Sequence, residues 1–360
     1  MRVAVDARAL GAHPTGVGRY LEGLLSAWLD ERPDDAFVLL SPRPIRLPDA
    51  LKGRVETKTT AGRVPGTIWL QTLAPFLAQR SGSDLFFGPL GILPLRSPLP
   101  SVVTVHDLTP ILHPSWHRLK NRLGYSLLGP TLRRATRVIA VSEATRRDLL
   151  RFQPDAEGKC VVVHNGVMEA STAAAAGAGI DRPYVLYLGT LEPRKNLTRL
   201  VEAMESIWGR RPDFPDLVLA GGAGWGLRGF AERLRRSPHA PRIHRLGRVP
   251  DERAHALLRG ARLLAYPSLY EGFGLPPLEA MAAGTVVVAS SSSSLPEVLG
   301  DAALLPDPED VADIARALEK AESDDAWRHL ARARGLARAS ELTWTRAARA
   351  TRRVFESALS

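Results

Sequence analysis

The chain has 360 residues, 45% of them hydrophobic, with a net charge of +10 and a single cysteine, Cys160. That length exceeds what one hydrophobic core usually organises, so two domains are expected, and one cysteine excludes an internal disulfide or a multi-cysteine metal site. No apolar run reaches the ~20 residues that a bilayer-spanning helix needs. The basic balance favours anionic partners or reflects an arginine-rich proteome, and no zinc-finger, RNP or helix-turn-helix pattern points to nucleic acid.

Along the chain, short apolar runs alternate with helical patterns. The opening Met1–Asp6 places an acid where a secretory signal carries its apolar stretch, which predicts a cytoplasmic protein. Strands are predicted at Val3–Val5, Phe37–Leu40, Val55–Thr57, Leu85–Phe87, Val102–Val105, Val138–Val141 and Val161–Val163. Helical patterns such as Gly18–Leu29 and Glu143–Phe152 separate them. Several runs are apolar throughout, as strands covered on both faces are. The alternation predicts βαβ units and a doubly wound parallel sheet.

Within this half, Gly16-Val17-Gly18 opens the first helix. Alone, such a pair marks a plain turn more often than a phosphate loop. His106 ends the run Val102–Val105, a good position for a crevice site in such a sheet, although a lone histidine is more commonly a bonded core residue. Asp107 suits a helix cap or an acceptor contact, and His164 and Asn165 suit either a donor contact or a turn at Gly166. Residues 116–137 are basic, with Leu119 and Leu123 on one helical face flanked by Arg118 and Arg122. That pattern fits a helix packed on its own sheet or one lying on an anionic bilayer.

Residues 170–179 hold only Ala, Ser, Thr and Gly, the composition of a flexible linker. The alternation then restarts, with strands predicted at Val185–Leu188, Leu217–Ala220, Ile243–Leu246, Leu263–Tyr266, Val286–Val288 and Ala303–Leu305. Helices are predicted at Leu197–Trp208, Asp251–Gly260 and Pro277–Ala283, with Asp251 as an N-cap. A second α/β domain follows, without a sequence repeat of the first. From Trp327 onward the chain is helical and arginine-dense, and Arg328, Arg332, Arg334 and Arg338 are expected on a solvated face.

The strongest local signal is Tyr270–Gly284. A strand leads into a loop with two glycines, and a proline pair suits the first turn of the next helix. Unpaired amides and the positive dipole end make such a helix start an anion site. Glu271 and Glu279 stand with seven residues between them. They fit acceptors for sugar hydroxyls or, equally, a capping acid and a surface acid.

Here the residues carry a resemblance. The stretch Glu271-Gly272-Phe273-Gly274-Leu275-Pro276 followed by Glu279 resembles the hallmark of the family 4 retaining glycosyltransferases of GT-B fold. Tyr187–Asn196, Leu219–Gly222, Leu246–Val249, Leu295–Val298 with Asp301–Leu305, Thr15–Tyr20, Val105–Asp107 and Val141–Thr145 are similar to other parts of that family, and the flavour is closest to bacterial mannosyltransferase-like members. The resemblance implies two Rossmann-like domains facing a central cleft: 1–168 for the acceptor, a linker at 169–181, 182–340 for the nucleotide sugar, and a closing helix at 341–360 that returns to the first domain. It implies that Glu271 contacts the donor sugar and Glu279 the ribose. Gly272, Phe273, Gly274 and Leu275 would offer backbone amides, Lys195 would grip the diphosphate, and backbone around Arg248 and Val249 would receive the base. Gly222 ends a donor-domain strand, the Gly16 and Gly18 loop approaches the donor, and His106 sits by the reacting sugar. Thr190 departs from the pattern, since many members carry an arginine there; either Arg194 supplies the charge or the grip is weaker.

The implied activity is metal-independent, retaining transfer of a hexose, best mannose from GDP-mannose, with a UDP-sugar as the other donor considered. No cofactor beyond the nucleotide-sugar substrate is expected. The acceptor is a glycan or lipid-linked molecule, with peripheral binding on the inner face of an anionic membrane and no nucleic acid. A nucleotide-sugar epimerase of the same fold is the second reading. A non-catalytic sugar-nucleotide-binding partner of another transferase, for which Thr190 is the hint, is the third.

Overall fold

The computed structural model describes residues 1–11, 16–60, 64–117, 124–167, 179–226 and 229–360. Most of the linker-like stretch 170–179 lies outside the described residues. The chain divides into two compact units, Met1–Gly166 with Leu342–Ser360, and Val167–Glu341.

The first unit is built on seven strands: β1 (Arg2–Asp6), β2 (Ala36–Ser41), β3 (Glu56–Thr59), β4 (Leu85–Gly88), β5 (Ser101–Val105), β6 (Arg137–Ala140) and β7 (Cys160–Val162). All pair in parallel, in the order β3-β2-β1-β4-β5-β6-β7. The chain runs outward from β1 to one edge and then resumes beside β1 with β4, so the sheet has its switch point between β1 and β4. Interior strands are apolar and buried, whereas β3 at the edge is the polar Glu56-Thr57-Lys58-Thr59. Val55, expected to open that strand, lies before it, because Val38 pairs with Glu56.

Helices Gly16–Glu31 and Trp344–Leu359 pack together in this unit. Trp28 meets Phe37 edge-on with centroids 5.2 Å apart, and Phe355 lies 5.2 Å from Trp28 and 5.0 Å from Phe87. The Trp28 indole N–H donates to Asp35 Oδ2 at 2.9 Å, which satisfies the polar end of a buried ring. Helix Glu143–Phe152 starts at an N-cap serine, Ser142, whose Oγ accepts from the Thr145 amide at 3.0 Å. Of the basic stretch 116–137, residues 118–123 lie outside the described residues. Its later part forms helix Leu128–Arg134, with Leu128, Thr131 and Leu132 buried.

The second unit has six strands: β8 (Tyr184–Leu188), β9 (Asp216–Ala220), β10 (Ile243–Gly247), β11 (Leu263–Tyr266), β12 (Val287–Ala289) and β13 (Ala303–Leu304). Their order is β10-β9-β8-β11-β12-β13, again all parallel, with the switch point between β8 and β11. Each predicted strand therefore has its counterpart, and besides Val55 the trimmed ends are Val141, Val163, Val286 and Leu305. Helix Asp251–Gly260 starts one residue earlier than a capping aspartate implies: Pro250 holds the N-cap position and Asp251 is the first helical residue. Its carboxylate then acts on the helix dipole.

On helix Asp325–Glu341, Arg332 and Arg334 are exposed as the sequence reading expects, whereas Arg328 and Arg338 are half-buried. Arg332 donates to Gly284 O at 2.7 Å, and Arg338 to Val298 O at 2.9 Å and Glu297 O at 2.8 Å. Carbonyls near the ends of two neighbouring helices need donors, and arginines supply them with favourable charge. No described helix is long and apolar enough to cross a membrane.

Gly166 lets the last helix close on the first unit. A Cβ there would lie 2.0 Å from the Trp344 amide nitrogen. Gly166→Ala is therefore expected to cost about 1–3 kcal/mol or more through backbone displacement, read as a lower urea midpoint, with Gly16→Ala, which meets nothing within 4 Å, as the control.

Candidate functional site

In the second unit the candidate residues gather at the carboxyl edge of the sheet, beyond the ends of β8 and β11. This is the switch point, where doubly wound sheets bind their ligands. After β8 the chain passes Thr190 and Glu192 into a short 3-10 turn, Pro193–Lys195, which ends at Asn196 in the left-handed conformation, φ 59°. The Asn196 side chain locks that turn by donating to Pro267 O at 3.1 Å and Pro308 O at 2.6 Å. Leu269 N donates to Arg194 O at 2.8 Å, so the two strand-end loops are tied by backbone as well.

Between these loops lies a buried cluster of charge. Lys195 and Glu271 are 5% and 6% exposed. Such groups persist in an interior only when paired. Lys195 Nζ donates to Glu271 Oε1 and to the Tyr266 hydroxyl. Arg194 Nη1 donates to Glu271 Oε2 at 2.7 Å and to Tyr270 O at 3.0 Å, while its Nε pairs with Glu192 at 2.5 Å. Lys195 also lies over the Tyr266 ring, 4.7 Å from its centroid, and Tyr187 stacks on Tyr266 at 5.9 Å. The pair Arg194 and Lys195 are thus embedded residues, not the solvated helix-start cations their position also allowed.

Burial by itself raises the Glu271 pKa, but the Arg194 and Lys195 charges outweigh it and hold the carboxyl at about 2, against an ordinary 4.5. Burial, then Arg194, pushes the Lys195 pKa down against the pull of Glu271. Burial and the Glu271 charge push the Tyr187 and Tyr266 hydroxyls up, so both stay neutral donors.

Beyond Glu271 the chain turns at Gly274, φ 103°, into helix Leu275–Ala282. A Cβ on Gly274 would meet Leu295 Cδ2 at 2.6 Å, so both the conformation and the space require glycine. Gly272, Phe273 and Gly274 are buried, Leu275 is half-buried, and the first turn of this helix carries no acid. Glu279 is half-buried one turn further on.

Around this cluster, Leu191 N donates to Gly222 O at 3.0 Å and Gly224 N to Leu191 O at 3.0 Å, which fastens the loop after β9 to the loop after β8. Arg248 lies against Gly222, 3.5 Å from where its Cβ would stand, and Val249 follows it half-buried. Thr190 is exposed, and its carbonyl accepts from the Tyr187 hydroxyl at 3.0 Å. The residues that the motifs did not single out are Glu192, Tyr187 and Tyr266. The tyrosines sit inside apolar strands and read from sequence as core.

In the first unit, His106 follows β5 and its Nε2 lies 2.9 Å from Pro89 O, just past β4. Tyr20, on the helix that Gly16 and Gly18 open, meets the imidazole edge-on at 4.8 Å and bonds Thr104 Oγ1 at 3.0 Å. Burial pushes the His106 pKa down, so the ring is neutral at pH 7. Asp107 accepts from Thr109 N at 3.0 Å and Thr109 Oγ1 at 2.8 Å, a local turn contact. Sequence reasoning missed the buried pair at the end of β1, where Arg8 grips Asp6 through two bonds of 2.8 and 2.6 Å.

Two sheets wound in this order, one with paired buried cations at its switch point, define a two-domain α/β protein of the GT-B class. Comparison with known proteins narrows the class. Residues 14–170 match the family model for Glycosyltransferase Family 4, and residues 172–338 match that for Glycosyl transferases group 1. The O-antigen chain mannosyltransferase B of Escherichia coli is 36% identical over 282 residues, covering 72% of this chain and 71% of that one. The serotype-specific mannosyltransferase WbdA of Escherichia coli is 28% identical over 277 residues, 70% of this chain but 32% of its own length. In three dimensions, Anabaena Alr3699/HepE in complex with UDP and glucose aligns over 99% of both chains with a TM-score of 0.76 at 19% identity. The chain belongs to this glycosyltransferase family, and it is a glycosyltransferase with bacterial mannosyltransferase relatives.

The Glu271 ion cluster sets an acid limit on stability. A carboxyl whose pKa falls from an ordinary 4.5 to about 2 on folding contributes stability that is full above 4.5 and lost as pH falls towards 2. Glu271→Gln, which leaves the buried Lys195 without its carboxylate partner, is expected to cost about 3–5 kcal/mol at pH 7. Denaturant unfolding across pH 2–7 checks both: the variant's stability falls less steeply between 4.5 and 2 than the wild type's, by the share that Glu271 contributes.

Proposed function

We propose that this glycosyltransferase transfers mannose from GDP-mannose to a glycan or lipid-linked acceptor with retention of anomeric configuration and without a metal ion. The observation that carries the reading is the buried Arg194–Lys195–Glu271 cluster at the switch point of the second sheet. Two cations beside a glycine turn and a helix start suit a diphosphate, and the neighbouring carboxylate suits sugar hydroxyls. The mannosyltransferase names of the related chains support the choice of sugar, whereas the UDP in the Anabaena structure keeps a UDP-sugar as the donor to compare.

In this reading the second unit holds the donor and the first unit the acceptor. Arg194 and Lys195, with the amides of Gly272, Phe273, Gly274 and Leu275, take up charge as the diphosphate departs. Arg194 supplies the positive charge that Thr190 does not. Gly222, Arg248 and Val249 line the base, and Glu279 holds the ribose. In the first unit, neutral His106, held against Tyr20, is the polar group offered to the acceptor. The acceptor attacks on the face from which the nucleotide leaves, which preserves configuration. These cations and the helix dipole do what a metal ion does in other transferases.

With radiolabelled GDP-mannose and cell-envelope acceptor, Lys195→Ala, Glu271→Ala and His106→Ala are each expected to lower kcat/KM by about 10²–10³, while EDTA leaves the wild type unchanged. Undiminished turnover in all three variants removes the assignment. A thermal-shift series with GDP, UDP and ADP sugars reads the donor, with GDP-mannose expected to raise Tm most.

The basic stretch 116–137 offers a route to a lipid-linked acceptor by lying on an anionic bilayer. Salt-sensitive co-sedimentation with vesicles containing anionic lipid is the expected result, and equal recovery in the supernatant with and without vesicles rejects it.

A further inference from the structure

Five consecutive serines, Ser290–Ser294, follow β12. By composition the run reads as a polar loop, yet Ser290 and Ser294 are fully buried. Its hydroxyls converge on the strand-end segment that carries Glu271. Ser290 Oγ donates to Ser268 O at 2.5 Å and Ser292 Oγ to the same carbonyl at 3.0 Å. Ser293 Oγ accepts from the Glu271 amide at 2.8 Å. Ser294 Oγ donates to Glu271 O at 2.9 Å and lies within bonding distance of Phe273 O at 3.0 Å. Ser293 holds a left-handed conformation, φ 54°, that a side chain rarely adopts.

We infer that Ser293 and Ser294 are positioning residues, a clamp that fixes the backbone of Glu271 at both its amide and its carbonyl. The inference rests on Glu271 being the donor-sugar ligand of the proposed function. A carboxylate between two buried cations loses its grip if its main chain drifts by an ångström, and the turn it opens delivers Phe273 and Gly274 to the helix start. Loop segments are normally mobile. Here short hydroxyl side chains anchor the segment, because each is long enough to reach a neighbouring main-chain group and too short to wander. The left-handed Ser293 aims its Oγ at the Glu271 amide. A glycine would hold the same backbone more comfortably but would leave that amide without its acceptor.

A double-mutant cycle in thermal stability separates a clamp from a mere turn and needs no sugar donor. Wild type, Ser293→Gly, Glu271→Gln and the double variant are compared by Tm at pH 7. If Ser293 holds the carboxylate on its cations, Glu271→Gln lowers Tm in the Ser293→Gly background by no more than half its effect in wild type. Strictly additive shifts overturn the inference. With whichever sugar nucleotide the wild type turns over, Ser293→Gly and Ser294→Ala are also expected to lower kcat at least tenfold while donor KM changes less than threefold. Wild-type kcat in a folded Ser293→Gly variant overturns the clamp while leaving the donor site intact. Loss of wild-type transfer altogether strikes the function reading, and the Tm cycle still decides the clamp.

Discussion

Two cations, Lys195 and Arg194, and two carboxylates, Glu271 and Glu192, share a largely buried space at the end of the second sheet, and the surrounding structure is organised to keep them there. Lys195, Arg194 and Glu271 come from loops about 75 residues apart in sequence, brought side by side because β8 and β11 are neighbours across the switch point. Desolvating such charges is costly, and only close pairing offsets it. The left-handed turn at Asn196, the tyrosine stack beneath Lys195, the Glu192 contact to Arg194 and the serine run around Glu271 each hold a partner in place.

That arrangement also suits the chemistry of the family. A departing diphosphate needs positive charge already in position, since reorientation at the moment of reaction raises the barrier. In the structure Glu271 occupies those cations itself, with its two oxygens on Lys195 and Arg194. In the proposed function the diphosphate shares those cations with the carboxylate, and Glu271 stands beside the glycosyl group. In the first unit His106 is neutral and held by Pro89 O and the edge of Tyr20, a polar ring at the carboxyl end of β5.

Much of this was legible in the residues. Most strands were visible because parallel strands buried on both faces are short apolar runs, the polar edge strand β3 being the weakest of them, and helices between them keep the 3.6 period. The pattern from Glu271 to Glu279 and the pair Arg194–Lys195 stood out as chemistry placed at strand ends. Less legible were residues whose role depends on what they touch. Tyr187 and Tyr266 look like core, Ser290–Ser294 looks like a loop, and Arg332 and Arg338 look like a solvated helix face until the carbonyls at Gly284 and Val298 are seen beside them.

What the amino-acid order determined alone is local: alternation of strand and helix, the two-glycine loop before the helix that starts near Pro276, and the charges placed just past strand ends. Those follow from periodicity, backbone sterics and side-chain chemistry within a few residues. Strand order was decided only in three dimensions. Both sheets wind in the same sense, outward from a central strand and then back past it, although the two halves share no sequence repeat. Pairing across long separations selects the neighbours of each strand, and so selects which buried charge meets which. No local pattern encodes that Glu271 falls on Lys195, because the contact exists only once β11 has taken its place beside β8.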